Sequence, residues 1–166
     1  MQRGIAIREA PPEKAGEIAD LIVRLKRLNG EFDALLSPAE DLEQQARDYV
    51  RAALGERKKL VLIAEREAKV LAVLIGEVRR RSFYRPSSEG VISDFYVLPE
   101  YRRTGIGARL LAEAAKRLRA MGAELLTAEF PSQNLIAVNF YRKHGFRALV
   151  NIYAAPLEDR SGHEKP

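Results

Sequence analysis

The chain has no cysteine and only two histidines, His144 and His163. A disulfide framework and a thiolate metal site are thereby excluded, and two histidines are too few for a histidine-rich metal centre. Metal-free chemistry is the expectation. No apolar run approaches membrane-spanning length, and Met1 to Glu9 lack the apolar core of a secretory signal, so a soluble cytoplasmic protein without a membrane partner is expected. Internal repeats, low-complexity tracts and linkers are missing too. So are two phosphate-binding signatures. There is no Gly-x-x-x-x-Gly-Lys-Ser/Thr, and Leu110 stands where a dinucleotide fingerprint beginning at Gly105-Ile106-Gly107 needs a third small residue.

What is present is a chain of 166 residues and 18.7 kDa, most simply one domain, which buries roughly 70% of its extended surface on folding. Charged residues make up 31% of it with both signs interspersed, as solvated helix faces require. The net charge of +5 favours anionic partners, a phosphate-rich cofactor as readily as nucleic acid.

Apolar spacing sets out the elements. Gly4 to Arg8 reads as a first strand. Ala15, Ile18, Ile22 and Leu25 recur at helical spacing, giving a helix that runs to about Leu28 and stops at Asn29-Gly30. Ser37-Pro-Ala-Glu40 reads as a capping box opening a second helix, closed by Gly55. The runs Leu60–Ala64 and Val70–Ile75 form a doubly buried antiparallel hairpin, followed by the basic residues Arg79, Arg80, Arg81 and Arg85. A helix follows Gly107 and ends at Gly122, a strand covers Leu125–Phe130, a short helix covers Asn134–His144, and Phe146–Ala155 returns as a final strand. The economical packing is an α/β (α+β) domain over residues 1–157, a central mixed, mostly antiparallel twisted sheet with helices on both faces, with 158–166 as a disordered tail.

The stretch from Ser93 to Leu111 organises this chain. A strand enters a turn bearing Arg102, Arg103 and two glycines, and the turn opens an amphipathic helix. Unsatisfied N–H groups at that helix start, with bulk removed at Gly105 and Gly107, make an anion site.

Arg102-x-x-Gly105-x-Gly107 after a strand resembles the acyl-CoA signature of the GNAT superfamily of N-acyltransferases. About thirty residues on, Asn134-x-x-Ala137-Val-Asn-Phe140-Tyr141-Arg-Lys-His-Gly145-Phe146 is similar to that superfamily's second motif. The resemblance is close from Val91 to Phe146, and Ser93 to Arg102 is similar to the diamine acetyltransferase branch. It implies an acetyl-CoA-dependent N-acetyltransferase. Phe95 and Val97 would offer main-chain groups to the pantetheine arm, and the signature strand would splay from the next one to make room. Arg102, Arg103, Thr104, Gly105, Ile106 and Gly107 would hold the pyrophosphate. Asn134 would contact the cofactor, and Tyr141 would lie near the thioester sulfur.

An alkylamine with a pKa near 10.4 must be deprotonated before it attacks, at a cost of roughly 4 to 5 kcal/mol at neutral pH. Asp94 and Glu129 are the carboxylates best placed to help, with Glu77 more distant. Tyr141, at about 10, can donate a proton to a thiolate whose reference value is near 8.5. The acceptor is a small-molecule or peptide amine. Glu31, Asp33 and Glu77 suit a polyamine pocket, whereas the arginines from Arg79 to Arg85 do not. A peptide acceptor is the alternative reaction, and a basic nucleic-acid-binding domain is the alternative outside enzymes, opposed by the intact signature. The final strand could pair across a homodimer.

Overall fold

The structure is a computed structural model and describes residues 4–158. Its elements run in the order β1 (Ala6–Glu9), α1 (Ala15–Phe32), α2 (Leu42–Leu54), β2 (Lys59–Arg66), β3 (Lys69–Arg80), β4 (Ser88–Val97), α3 (Ile106–Ala120), β5 (Leu125–Ala128) and α4 (Leu135–Lys143). The chain divides into two compact units, residues up to Leu135 and residues from Ile136 onward.

The first unit holds one five-stranded sheet in the order β1-β2-β3-β4-β5, antiparallel except for the parallel pair β4 and β5. Short connections dictate the antiparallel pairs, and the α3 crossover dictates the parallel one. Leu62, Ile63, Leu71, Leu74 and Ile75 in β2 and β3 are fully buried, as the near-continuous apolar runs predict for strands covered on both faces. Ile75 pairs with Asp94, whose side chain reaches α1 and α2, while the next residue, Gly76, faces Leu118 of α3. Pleat alternation therefore puts α1 and α2 on one face and α3 on the other.

Gly76 and Gly90 let α3 lie close to the sheet. A Cβ on Gly90 would stand 3.0 Å from two carbons of Leu118 and 3.3 Å from Ala123 Cβ. Gly90→Ala is expected to destabilise the protein by about 1 to 3 kcal/mol through overpacking, read as a lowered urea midpoint with an unchanged slope. The end of α3 is closed by a left-handed Gly122 (φ 106°), with Ala123 N–H donating to Leu118 O and Gly122 N–H to Arg119 O.

Three expectations are corrected. Helix α1 continues through Asn29-Gly30 to Phe32. Gly30 is a point of close approach, since a Cβ there would meet Pro38 Cδ at 3.1 Å and Leu36 O at 3.3 Å. Ser37 opens no capping box: its hydroxyl donates to Ala34 O (2.7 Å), closing a short 3₁₀ turn, and α2 starts five residues later at Leu42. Finally, 146–155 belongs to no strand, because the sheet ends at β5 and the segment has no strand alongside it to pair with. The expected tail lies outside the described residues apart from Glu158.

Candidate active site

A β-bulge in β4 creates the local geometry. Ile75 pairs with Asp94 but Gly76 pairs with Ile92, so Ser93 is an extra residue that resets the alternation of the strand. The reset turns Asp94 and Tyr96 toward α1 and α2, and Phe95 and Val97 toward the α3 face, where both are half-buried. The main-chain directions change with it. Ile92 O accepts from Glu129 N–H beside β5 (2.9 Å), whereas Leu98 N–H donates to Leu71 O at the start of β3 (2.9 Å). By alternation the main-chain groups of Phe95 and Val97 face away from β3.

On that side β5 has left. Pairing between β4 and β5 covers Glu89 to Ile92 only, while pairing between β4 and β3 continues to Val97. A cleft therefore opens beside the second half of β4. Arg102 Nε donates across it to Val97 O (3.0 Å), and its guanidinium lies 5.4 Å from the Tyr96 ring centroid.

The chain from β4 to α3 is pinned at several points. Tyr101 O accepts from the Thr104 hydroxyl, and Tyr101 Oη accepts from Arg66 Nη2 (2.9 Å). Arg103 (φ 64°) and Gly105 (φ 86°) are left-handed, a conformation that glycine adopts at no steric cost. Arg109 N–H is the first in α3 to donate to an intrahelical acceptor, Gly105 O (3.1 Å). The N–H groups of Ile106, Gly107 and Ala108 precede it, at the positive end of a 15-residue helix. The structure thus gathers Phe95, Val97 and 102–107 on one stretch, and this donor set fits the phosphates of an anionic ligand.

Asp94 lies elsewhere in this unit, only 3% exposed. It accepts from Lys26 Nζ of α1 (2.7 Å), from the Tyr49 hydroxyl of α2 and from the Ser93 hydroxyl (3.2 Å). Sequence reasoning took Tyr49 as part of an apolar helix face and missed Lys26 and Tyr49 as partners of Asp94. The isolated hydroxyl and amine on otherwise apolar or solvated helix faces were the only signals. Burial, then the charge of Asp94 and the hydrogen bond to it, push the Tyr49 hydroxyl well above the usual tyrosine value. The neutral phenol is thus the form favoured by folding. Its contribution is complete below the unfolded value near 10.0 and is lost as pH rises beyond it. Tyr49→Phe should cost roughly 1 to 2 kcal/mol near neutral pH by leaving Asp94 short of a donor. Melting curves from about pH 8 to about pH 11 should fall more steeply for the wild type than for the variant.

Glu129 is more open. Arg79 bridges it (3.3 Å) and Glu77 (3.0 Å), so this arginine of the basic hairpin is engaged in ion pairs. Asp33 caps the 3₁₀ turn by accepting from Leu35 N–H (2.8 Å), and Glu31 is exposed. Asn134 N–H donates to Pro131 O (2.9 Å) just before α4.

In the second unit Tyr141 is 6% exposed, with its ring edge-on to Phe140 (5.3 Å) and Phe146 (5.0 Å). The helix ends with left-handed Gly145, Phe146 N–H donating to Tyr141 O (3.0 Å) and Gly145 N–H to Arg142 O (3.0 Å). This closing motif brings the Phe146 ring onto Tyr141. Burial raises the Tyr141 pKa above its ordinary value, so the phenol stays protonated through the neutral range.

Comparison with known proteins agrees with this geometry. The model of the acetyltransferase (GNAT) family matches residues 25–146. An uncharacterized N-acetyltransferase, YhfO, of Bacillus subtilis (strain 168) is 26% identical over 145 residues, covering 84% of this chain and 88% of that protein. An uncharacterized N-acetyltransferase of Archaeoglobus fulgidus is 24% identical over 105 residues, 63% of this chain and 71% of that one. Among solved structures, the BH1408 protein of Bacillus halodurans superposes with a TM-score of 0.80 at 20% identity, covering 92% of this chain and 99% of the other. The aminoglycoside N-acetyltransferase AAC(6')-Iy, solved in complex with CoA, does so with a TM-score of 0.76 at 14% identity, covering 92% and 93%. Enzymes of the matched family draw their acetyl group from acetyl-CoA. A bulged strand leading through a left-handed glycine turn into a helix, and a family match across it, lead to one conclusion: the chain is an acetyl-transferring enzyme of the acetyltransferase (GNAT) family.

Proposed function

We propose that residues 1–157 act as one N-acetyltransferase domain that moves the acetyl group of acetyl-CoA to a primary amine of a small molecule. The observation that carries this reading is the turn from Val97 to Gly107, where Gly105 at φ 86° opens α3 beside the cleft left by β5. When bound, acetyl-CoA supplies a thioester carbonyl open to attack by the amine. The N–H groups at the start of α3, with Arg102, Arg103 and Thr104, hold the pyrophosphate, and the half of β4 containing Phe95 and Val97 receives the pantetheine arm. Asn134 adds a polar contact to the cofactor.

Tyr141 donates its proton to the departing sulfur, a role suited to a phenol that burial keeps protonated. Of the two carboxylates, Glu129 is the one exposed to an acceptor, and its charge favours an incoming ammonium and takes up the proton directly or through water. Asp94, satisfied by Lys26, Tyr49 and Ser93, holds the bulge and so the direction of the Phe95 and Val97 main chain.

Support for a small polyamine acceptor comes from the aminoglycoside acetyltransferases among the structural neighbours, AAC(6')-Iy and AAC(6')-IG, and from the carboxylates of Glu77 and Glu129. The test is release of CoA thiol by the purified protein given acetyl-CoA with aminoglycosides, linear polyamines or short peptides in turn. Turnover with one of the first two classes is expected. Turnover confined to peptides would move the assignment to a peptide acceptor, and nucleic-acid retention without turnover in any class would remove the enzyme reading.

A further inference from the structure

The segment 146–155 is a strand by composition that pairs with nothing in its own chain. Its even-numbered residues Phe146, Ala148, Val150, Ile152 and Ala154 are all apolar, while Arg147 and Asn151 interrupt the odd set. That is the pattern of a strand with one buried face. Yet no strand is assigned there among the described residues, and Val150, Ile152 and Tyr153 are 78%, 90% and 89% exposed. One such side chain in water is ordinary, but a contiguous row of them marks an interaction surface.

In the first unit, β5 is the last strand of the sheet and pairs on one side only. All four of its residues are half-buried, and a groove of about 440 Å³ runs alongside it, lined by Ala115, Leu118, Ala123, Leu125 and Leu126, with Arg119 and Glu124 at its rim. This edge carries none of the devices that keep sheet edges from pairing. No proline and no inward charge interrupt Leu125-Leu-Thr-Ala128, and no bulge is present in its pairing with β4.

We infer that two copies of this chain form a two-fold dimer in which each lays residues 146–155 along the β5 edge of the other as an added strand. Main-chain hydrogen bonds extend the sheet across the molecules, and the even-numbered apolar side chains enter the groove beside α3. The contact is isologous, because each copy gives a strand and receives one. A second copy is the occupant because it carries the matching strand at equal concentration and closes both open edges at once. The inference concerns assembly and stands independently of the amine acceptor.

Sedimentation velocity of the full chain should give twice the 18.7 kDa chain mass. The double variant Val150→Glu, Ile152→Lys should sediment as a monomer, with a far-UV circular dichroism spectrum showing retained helices. The absence of native cysteine permits a second test that keeps the apolar face intact. A mixture of the single variants Thr127→Cys and Asn151→Cys, refolded together and treated with a short bis-maleimide, should yield a species containing both chains. A wild-type monomer at all concentrations, a dimer unchanged in the double variant, or cross-linking confined to single chains of the doubly substituted protein would each overturn the inference.

Discussion

Replacing Tyr141 by phenylalanine is expected to lower kcat by roughly 10² to 10⁴, the range for loss of one general acid, with little change in CoA affinity. The substitution keeps the ring that packs on Phe140 and Phe146, so the closing turn at Gly145 keeps its contacts. What it removes is a phenolic proton that burial makes hard to lose to water and therefore available to a better base within the site. A thioester with a more acidic thiol needs less help in leaving, so the penalty should shrink with it. If Tyr141 is only a packing residue, the effect instead falls on stability, on the order of 1 kcal/mol for a lost hydrogen bond, and turnover stays near wild type. Measuring kcat and melting temperature on one preparation distinguishes the two.

The second large effect is expected at Gly107, which sits one residue inside α3. Valine has a better helix propensity than glycine, so Gly107→Val should fold. Its branched side chain would stand in front of the N–H groups that meet the pyrophosphate, and the dissociation constant for CoA should rise at least tenfold, a loss of about 1.4 kcal/mol or more. Gly105 is less suited to this experiment. At φ 86° a valine there strains the backbone, so weakened binding would mix two causes. Calorimetric titration of folded Gly107→Val reads the effect directly, and an unchanged dissociation constant would take the pyrophosphate away from this turn.

Much of the fold was legible in the sequence because its signals are local. The apolar runs of β2 and β3 could be buried only as central strands, and Gly122 and Gly145 stop their helices as left-handed residues. Gly30 misled because glycine has two uses. It ends a helix or lets another segment approach, and only the tertiary position of Pro38 decides which. The extra residue at Ser93 was invisible for a similar reason. A bulge is a property of a strand pair, and nothing within Ser93-Asp-Phe-Tyr-Val97 announces that the register against Ile75 will slip. The site was legible where it depends on main chain and spacing, from Arg102 to Gly107. It was not legible where side chains converge from distant elements, as Lys26, Tyr49 and Asp94 do across separations of 45 and 68 residues. The apolar alternation of 146–155 was read correctly as strand-forming, but the pairing it requires is not supplied within its own chain.

The central claim is that the turn from Arg102 to Gly107 holds the phosphates of acetyl-CoA in an acetyl-transferring enzyme. Isothermal titration with CoA and acetyl-CoA tests it most directly. The account predicts saturable binding, retained in Tyr141→Phe and weakened in Gly107→Val, with the melting temperature rising as CoA concentration rises. Absence of heat and of any melting shift at about 1 mM CoA, roughly the concentration that reveals a −4 kcal/mol interaction, would contradict it.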